Sequence, residues 1–599
     1  MGWWTAWDSN PRPRRCERRA LPAELAAHFW CVASILSHSL VNVMEPYRIF
    51  ALSALVAIAA WAAPDAIYIN GKIVTVDSRF AIAEAIAVTA DKFEAVGKNA
   101  DIRRLAGPAT HVIDLHGRTV IPGLEDSHLH NAGGGPGVDL SGARAMGDVL
   151  AAVSRRVKTA APGEIVTSNG DWHEAQLKEQ RLPLRRDLDA VSPNNPVVLI
   201  RGGHEYILNS AALAKWRIDK TTKTPEGGQI SRYPDGEPNG ELIDKARTLV
   251  TLPGSKLTLE QQIDNWTAQY RKLNAAGLTN VRHPGISLDQ YRLLQEMKRR
   301  GLLTIRLNVL LSAPPNPDAA NVRAFIENSG VKPDEGDEWL RVGGMKLVAD
   351  GGFEGGWMRD PYQEPYGKHG AYRGLQLIPT DRYIAIVKEL NRLGWRVGTH
   401  AVGDAAIDEV LAGYEAANAE HSIAGKRWAI EHGFIPREEQ FAGMKALGLV
   451  VTVQNHLYLA GPSLVHYWGP TRAAWTTPVR AYLDHGIMTA AGTDASVVPY
   501  PPLWTIYHFV TRDTISGGVL GADQKITRQE ALRLSTVNNA YLTFEEKTKG
   551  SIERGKLADF VVLAEDILMV PDKRIEQMKV LMTVVGGKAV FVDDAFGSH

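Results

Sequence analysis

Cysteine is almost absent from this chain. Its two cysteines, Cys16 and Cys31, both lie within the first 62 residues. Residues 63–599 therefore cannot contain a cysteine nucleophile, a thiolate zinc cluster or a disulfide. Any metal bound there must be held by histidine, by carboxylate or by a modified lysine.

An excess of charge of either sign is also absent. The chain has 67 basic and 67 acidic side chains in 599 residues. Proteins that bind nucleic acid or an anionic surface usually carry a basic patch, and nothing in this balance indicates one. We therefore predict no nucleic-acid partner, while the oligomeric state is left open.

Long apolar runs are missing as well. The apolar stretch Ile49–Ala60 has twelve residues, whereas a membrane-spanning helix needs about 20. It follows Met44 and Arg48 and precedes Ala60-Trp-Ala62, which is the pattern of a signal peptide with its cleavage site. We predict a leader over 1–62 with a signal peptide at 44–62, export to the periplasm or the exterior, and no membrane attachment after cleavage. The alternative is that this stretch forms an N-terminal helix of the folded protein.

Strand-like patterns mark both ends of the remaining chain. Alternating stretches run from Ala66, with the hairpin signal Asn70-Gly71, and similar ones recur after Lys556. These two regions, 63–119 and 545–599, predict one small composite β-sandwich domain built from both termini.

Between these ends, short apolar runs alternate with helical patterns over 120–544. Eight such runs predict an α/β fold, a (β/α)₈ TIM-type barrel of parallel strands that are buried on both faces. The region 139–253 is too long for one crossover helix and contains strands of its own, which predicts an inserted α/β cap subdomain. The eight candidate barrel strands are Val120–Leu129, Gly277–His283, Thr304–Leu311, Gly344–Ala349, Arg396–Thr399, Trp428–Glu431, Leu449–Gln454 and Ile487–Gly492.

Five side chains of metal-binding type follow or end these candidate strands. His128 and His130 are two positions apart, so both would project from the same face of the first strand. His400, His432 and Asp494 end the fifth, sixth and eighth strands. The active sites of such barrels lie at the carboxyl ends of the strands, and imidazole with carboxylate suits zinc, with iron or manganese as alternatives. The pattern predicts a divalent metal site of one or two ions.

Lys346 lies within the fourth candidate strand, where a charged amine is costly to bury. One interpretation is a lysine that reaches solvent or pairs with Asp350. The other is a lysine carboxylated by CO₂ that bridges two metals.

With these ligand-type residues at the ends of barrel strands, the chain resembles the amidohydrolase superfamily of metal-dependent hydrolases, which includes urease and dihydroorotase. The resemblance is greatest to the branch with N-substituted formamide deformylase. The late motif Gly550–Asp559 adds to the resemblance. The resemblance implies that His128, His130 and Asp494 hold one metal, that His400 and His432 hold the other, and that Lys346 bridges them as a carbamate.

The resemblance also implies how such a site acts. A metal-activated hydroxide attacks a carbonyl group, and Asp494 accepts the proton of the water and passes it to the leaving amine. His204, in a cap motif found in that branch, would reach over the metals as a second catalytic residue, or would pack the cap instead. The other candidates for contacts near the substrate are Trp172, His283, Asp350 and Gln454–His456.

These features predict a metal-dependent amidohydrolase that cleaves the C–N bond of a small amide, formamide or cyclic imide. A lactonase or a phosphotriesterase-like enzyme would use the same ligands, because the ligands set the nucleophile and the pocket sets the substrate. A binding protein on the same scaffold is a third alternative, although such relatives usually lose ligands.

Overall fold

The computed structural model describes residues 63–252, 254 and 257–597. The predicted leader, including the signal peptide at 44–62, lies outside these residues. The strands, in chain order, are β1 (Ala66–Ile69), β2 (Lys72–Val74), β3 (Ile82–Ala83), β4 (Ala85–Thr89), β5 (Lys92–Gly97), β6 (His111–Asp114), β7 (Thr119–Pro122), β8 (Leu124–Asp126), β9 (Val166–Thr167), β10 (Val197–Arg201), β11 (Glu205–Leu208), β12 (Gly228–Arg232), β13 (Pro238–Asp244), β14 (Leu278–Ile286), β15 (Arg306–Ser312), β16 (Leu340–Val348), β17 (Val397–Ala401), β18 (Ala429–His432), β19 (Val450–Gln454), β20 (Met488–Gly492), β21 (Phe560–Leu563), β22 (Val580–Val585) and β23 (Lys588–Val592).

Helices alternate with most of these strands. No helix in the described part of the chain is long and apolar enough to cross a membrane. The α-helices are Asn99–Arg103, Met146–Val157, Arg185–Asp189, Ser210–Lys215, Leu259–Ala275, Leu288–Arg299, Ala319–Ser329, Thr380–Arg392, Asp404–Glu420, Glu438–Ala446, His456–Trp475, Val479–Asp484, Pro502–Thr511, Arg528–Leu534, Val537–Leu542 and Asp572–Gln577.

Strands from both ends of the described chain share one six-stranded sheet, in the order β23-β22-β21-β7-β2-β3. A four-stranded sheet, β5-β4-β1-β6, packs against it. Apolar side chains of both sheets alternate inward and form a common core, in which the rings of Tyr68 and Phe560 lie 4.9 Å apart. Burial of this apolar face is what joins the two ends of the sequence.

The middle part of the described chain contains a barrel of eight parallel strands, in the order β20-β19-β18-β17-β16-β15-β14-β8. The first and last of these strands are joined where the backbone N–H of Ser127 donates to the carbonyl oxygen of Ala491 at 3.0 Å. The strands are almost entirely buried, because helices cover the outer face and side chains fill the interior. The predicted TIM-type barrel is confirmed.

The predicted first barrel strand, Val120–Leu129, is wrong as a single strand. It is divided at Gly123 into β7, which belongs to the sandwich, and β8, which belongs to the barrel. A Cβ atom at Gly123 would lie 2.2 Å from Oγ1 of Thr279, so only glycine allows the chain to pass this close to β14. As a consequence, His128 and His130 follow the end of β8 in a loop, and strand alternation does not position them.

The region between β8 and β14 contains a five-stranded sheet, β12-β13-β11-β10-β9. This sheet has its own apolar core, in which Trp172, Leu199 and Ile207 are fully buried. The indole N–H of Trp172 donates to the carbonyl oxygen of Ile200 at 2.7 Å. Trp172, a candidate for substrate contact, is therefore a core residue of this segment.

A buried ion pair ties the barrel to the sandwich. Arg306, at the start of β15, binds both carboxylate oxygens of Asp559, at 2.7 and 3.1 Å, with side-chain exposures of 1% and 6%. We expect Asp559→Ala to lower the free energy of unfolding by about 3–5 kcal/mol, because it leaves a buried guanidinium without its counter-ion. Denaturant unfolding measures the effect.

The control for this prediction is the double variant Arg306→Met with Asp559→Leu. It removes the charge together with its partner, so we expect it to regain most of the lost stability. A loss below about 1 kcal/mol for Asp559→Ala would contradict the assignment, since exposed pairs have effects of that size.

Candidate metal centre

The loop after β8 is tied to the loop after β20. The backbone N–H of Asp494 donates to the carbonyl oxygen of His128 at 2.6 Å, and Asp126 accepts from the N–H of His128 at 2.9 Å. These bonds place Oδ1 of Asp494 3.5 Å from Nε2 of His128 and 3.2 Å from Nε2 of His130. Three of the predicted ligands thus meet at one point.

His400 and His432 lie beside this group on β17 and β18. Their ring centroids are 4.5 Å apart, and the ring of His128 is 4.6 Å from that of His432. His400 lies within its strand, one residue before the end, and His432 is the last residue of its strand. His432 and Asp494 both adopt positive φ, 75° and 60°, a conformation that is uncommon outside glycine and often found at functional sites.

Hydrogen bonds fix which ring nitrogen of each histidine is free. Nδ1 of His128 donates to Glu431 at 2.8 Å, and Nδ1 of His432 donates to Oε1 of Gln454 at 2.7 Å. In His400 the two ring nitrogens exchange roles, because Nε2 lies 3.1 Å from the carbonyl oxygen of Gly351 and Nδ1 is the free nitrogen. An imidazole that donates through one nitrogen keeps a lone pair on the other, so each ring retains one metal-binding nitrogen.

Burial keeps these rings neutral. It lowers the pKa of His128 to about 3, with a further contribution from the charge of Lys346. It also lowers the pKa values of His400 and His432 well below their usual range. Neutral imidazole is the form that binds metals.

Glu431 anchors the base of the site. Arg282 donates to both of its carboxylate oxygens, at 2.8 and 3.1 Å. Burial opposes the ionisation of Glu431, but this guanidinium holds the pKa of the carboxyl group well below its usual range. The resulting carboxylate fixes the ring of His128, an arrangement that is common behind metal-binding histidines.

Lys346 is brought to the same place by β16. Its Nζ lies 3.5 Å from Nε2 of His128, and only 8% of the residue is exposed. Burial lowers the pKa of the amine to about 8. The neutral form of this amine, which carboxylation by CO₂ requires, is therefore more populated near neutral pH than in an exposed lysine.

The donor set fits a divalent cation. Oδ1 of Asp494 is buried and has no hydrogen-bond partner among the described residues. Burial raises the pKa of the Asp494 carboxyl group, but the neighbouring imidazoles of His128, His130 and His456 hold this pKa well below its usual range. A buried carboxylate oxygen without a hydrogen-bond partner in the described chain, beside imidazole nitrogens, is the arrangement that a zinc-like cation satisfies.

The six predicted ligands line one cavity of about 540 Å³. His204 enters it from the inserted segment, with its ring centroid 5.3 Å from that of His400 and its Nδ1 2.6 Å from Oδ1 of Asp244. The rest of the wall is largely apolar.

Two other candidates for substrate contact do not line this cavity. Asp350 is buried and accepts backbone N–H groups of Trp357, Val402 and Gly403, so it shapes the loops after β16 and β17. Nδ1 of His283 lies 2.6 Å from the carbonyl oxygen of Leu129, between the two histidines of the first loop, and His283 positions that loop.

His456 has a more central place than its sequence context indicated. Its Nε2 lies 2.9 Å from Oδ2 of Asp494, and the ring is buried. His432, His456 and Asp494 form a second group whose ligand atoms are close enough to hold a metal, beside the group His128, His130 and Asp494. The polar run Gln454-Asn-His456 at the end of β19 indicated that His456 could lie near the site, but nothing in the sequence indicated its contact with Asp494.

The metal content of a His456 variant shows whether His456 is a metal ligand or a residue that positions Asp494. We expect His456→Ala to keep its metal and to lower kcat about 10- to 100-fold, because a hydrogen bond to the charged Asp494 is lost. His456→Gln, which keeps a donor, should restore part of kcat. Metal analysis beside the kinetics checks this, and loss of metal from both variants would make His456 a ligand.

The chain is similar to known proteins over most of its length. Residues 111–591 match the model of the amidohydrolase family. The chain is 29% identical over 543 residues to N-substituted formamide deformylase of Arthrobacter pascens, covering 87% of this chain and 97% of that one. It is 26% identical to the putative amidohydrolase YtcJ of Bacillus subtilis, covering 85% and 96%.

A solved structure shares the fold. An uncharacterised metal-dependent hydrolase of Pyrococcus horikoshii superposes with a TM-score of 0.63 at 22% identity, covering 85% of this chain and 99% of that one. With the barrel, the histidine and aspartate groups and the match over most of its length, the chain belongs to the amidohydrolase family of metal-dependent hydrolases.

Proposed function

We propose that this protein hydrolyses the C–N bond of a small amide or formamide. One observation carries the proposal: four histidines, Lys346 and Asp494 converge on one cavity in a chain that is similar over most of its length to a formamide deformylase. His128, His130 and Asp494 would hold one divalent ion, His400 and His432 would hold a second, and a carboxylated Lys346 would bridge the two. Zinc suits this donor set best.

A bound divalent cation supplies Lewis acidity, which polarises a substrate carbonyl and makes water a nucleophile near neutral pH. Asp494 lines the cavity, and His456 holds its Oδ2. Asp494 would accept the proton of the attacking water and deliver it to the nitrogen of the leaving amine. His204, held by Asp244, lies over the ligands and would donate a hydrogen bond to the substrate.

The test is turnover by zinc-loaded protein of three matched compounds, N-benzylformamide, N-benzylacetamide and a γ-lactone. We expect release of benzylamine from the formamide or the amide, with little opening of the lactone. Hydrolysis of the lactone alone would contradict the proposal and favour an esterase-type substrate on the same metal site.

A further inference from the structure

Two cations lie near His204, one in the wall of the active-site cavity and one in the cleft beside it. Lys245 lines the cavity itself. A neighbouring cleft of about 470 Å³ shares His204, Lys245, Val348 and Leu377 with the cavity and adds Arg247. Both cations are half-buried and lie on the short 3₁₀ helix Lys245–Leu249.

Neither cation has an ion-pair partner in the part of the chain that the structure describes. Nζ of Lys245 donates to the carbonyl oxygen of Leu377 at 2.8 Å, which uses one of its three hydrogens. Nε of Arg247 donates to the carbonyl oxygen of Asp244 at 3.2 Å, and its guanidinium lies 5.3 Å from the ring centre of Tyr206. The terminal nitrogens of Arg247 are left for another acceptor.

The carboxylate nearest in sequence, Asp244, is committed elsewhere. Its side chain is 2% exposed and lies 2.6 Å from Nδ1 of His204. Asp244 also has a φ of 47°, and β13 ends and the 3₁₀ helix begins at this point. This strained backbone turns the chain so that His204 is anchored while Lys245 and Arg247 follow along the wall.

The surrounding wall is largely apolar, and the carboxylates among its described residues are Asp494 in the cavity and Asp244 in the cleft. Half-buried cations without a partner are costly unless a ligand supplies the opposite charge. An arginine fork with a nearby ammonium group matches a carboxylate well.

We propose that Lys245 and Arg247 bind a carboxylate of the substrate, so that the preferred substrate is an N-acyl or N-formyl amino acid with an apolar side chain. The inference rests on the proposed C–N hydrolysis, in which the amide carbonyl faces the metal ligands. The carboxylate then lies at Lys245 and Arg247, where the cavity meets the cleft, and the apolar side chain lies against the wall that includes Pro284, Leu377 and Ile378.

The test compares N-formylphenylalanine with N-formylphenethylamine, which differ only in the carboxylate. We expect kcat/KM to be at least about tenfold higher for the acid, mainly through KM, since charge-assisted hydrogen bonds are involved. Lys245→Met and Arg247→Met should each remove most of this preference. Lys215→Met is the matched control, because this exposed lysine of the inserted segment does not line the cavity and its loss should leave the preference intact.

Binding is measured separately, by calorimetry of both compounds with Asp494→Asn protein, which prevents turnover. If the acid binds more tightly and Lys245→Met removes the difference, the carboxylate site is supported. This holds even if neither compound is hydrolysed, a result that would count against the proposed C–N hydrolysis alone. The inference would be overturned if the two compounds bound equally, or if Lys245→Met and Lys215→Met had equal effects. Hydrolysis of both compounds in that case would leave the proposed C–N hydrolysis in place.

Discussion

Asp494→Asn is expected to lower kcat/KM by about a thousandfold or more. The substitution keeps the shape of the side chain but removes its charge, so it weakens a metal ligand and removes the group that accepts the proton of water. General acid–base groups alone contribute about 10²–10⁴-fold. The substitution removes the negative charge that both carboxylate oxygens share, including the buried Oδ1, which faces His128 and His130 and has no hydrogen-bond partner among the described residues.

Kinetics and metal analysis of the same preparation separate the two roles of Asp494. Asp484→Asn is the control, because this exposed carboxylate does not line the cavity and should behave as the parent protein. If Asp494→Asn retained more than about a tenth of the activity with full metal content, another residue would have to carry the proton.

Lys346→Ala is expected to reduce the metal content from two ions per chain to one or none and to lower kcat at least about 100-fold. The proposed carbamate supplies an anionic bridge between ions spaced about 3.5–4 Å apart, as in two-metal sites generally. A charged amine at this position, 3.5 Å from Nε2 of His128, would instead repel both ions. Because the lost group is a carboxylate, acetate or formate should restore part of the metal content and of the activity.

Lys346→Arg is the matched control, since it fills the space but cannot be carboxylated, and small acids should not rescue it. Metal analysis in buffers with and without bicarbonate gives a reading that does not depend on turnover. Two bound metals and full turnover in Lys346→Ala would show that this lysine is only part of the barrel core.

Much of this architecture could be predicted from the sequence. Short apolar runs, such as Leu449–Gln454, predicted parallel barrel strands because a strand buried on both faces must be apolar throughout. The polar residues at their ends, among them His432, predicted the site because the carboxyl ends of parallel strands meet at one rim. The positions of these strand ends are a property of local pattern, and local pattern is what a sequence displays.

Tertiary structure decided the rest. His128 and His130 are positioned by backbone bonds to the loop of Asp494, more than 360 residues away, and not by strand alternation. The free nitrogen of each imidazole depends on which acceptor lies behind it, and the partnership of His456 with Asp494 depends on how the loops after β19 and β20 meet. The sequence alone allowed Trp172 to be either a pocket residue or a core residue, and only the fold of its segment places it in the core.

The sequence by itself therefore determined the fold class and the residue types of the candidate site. It did so because periodicity and the ends of strands depend on neighbours along the chain. The tautomers, the hydrogen-bond partners and the lack of an ion pair at Lys245 and Arg247 within the described chain were decided only by tertiary structure. Each of these depends on distances of a few ångströms between residues far apart in sequence, and no local pattern encodes those distances.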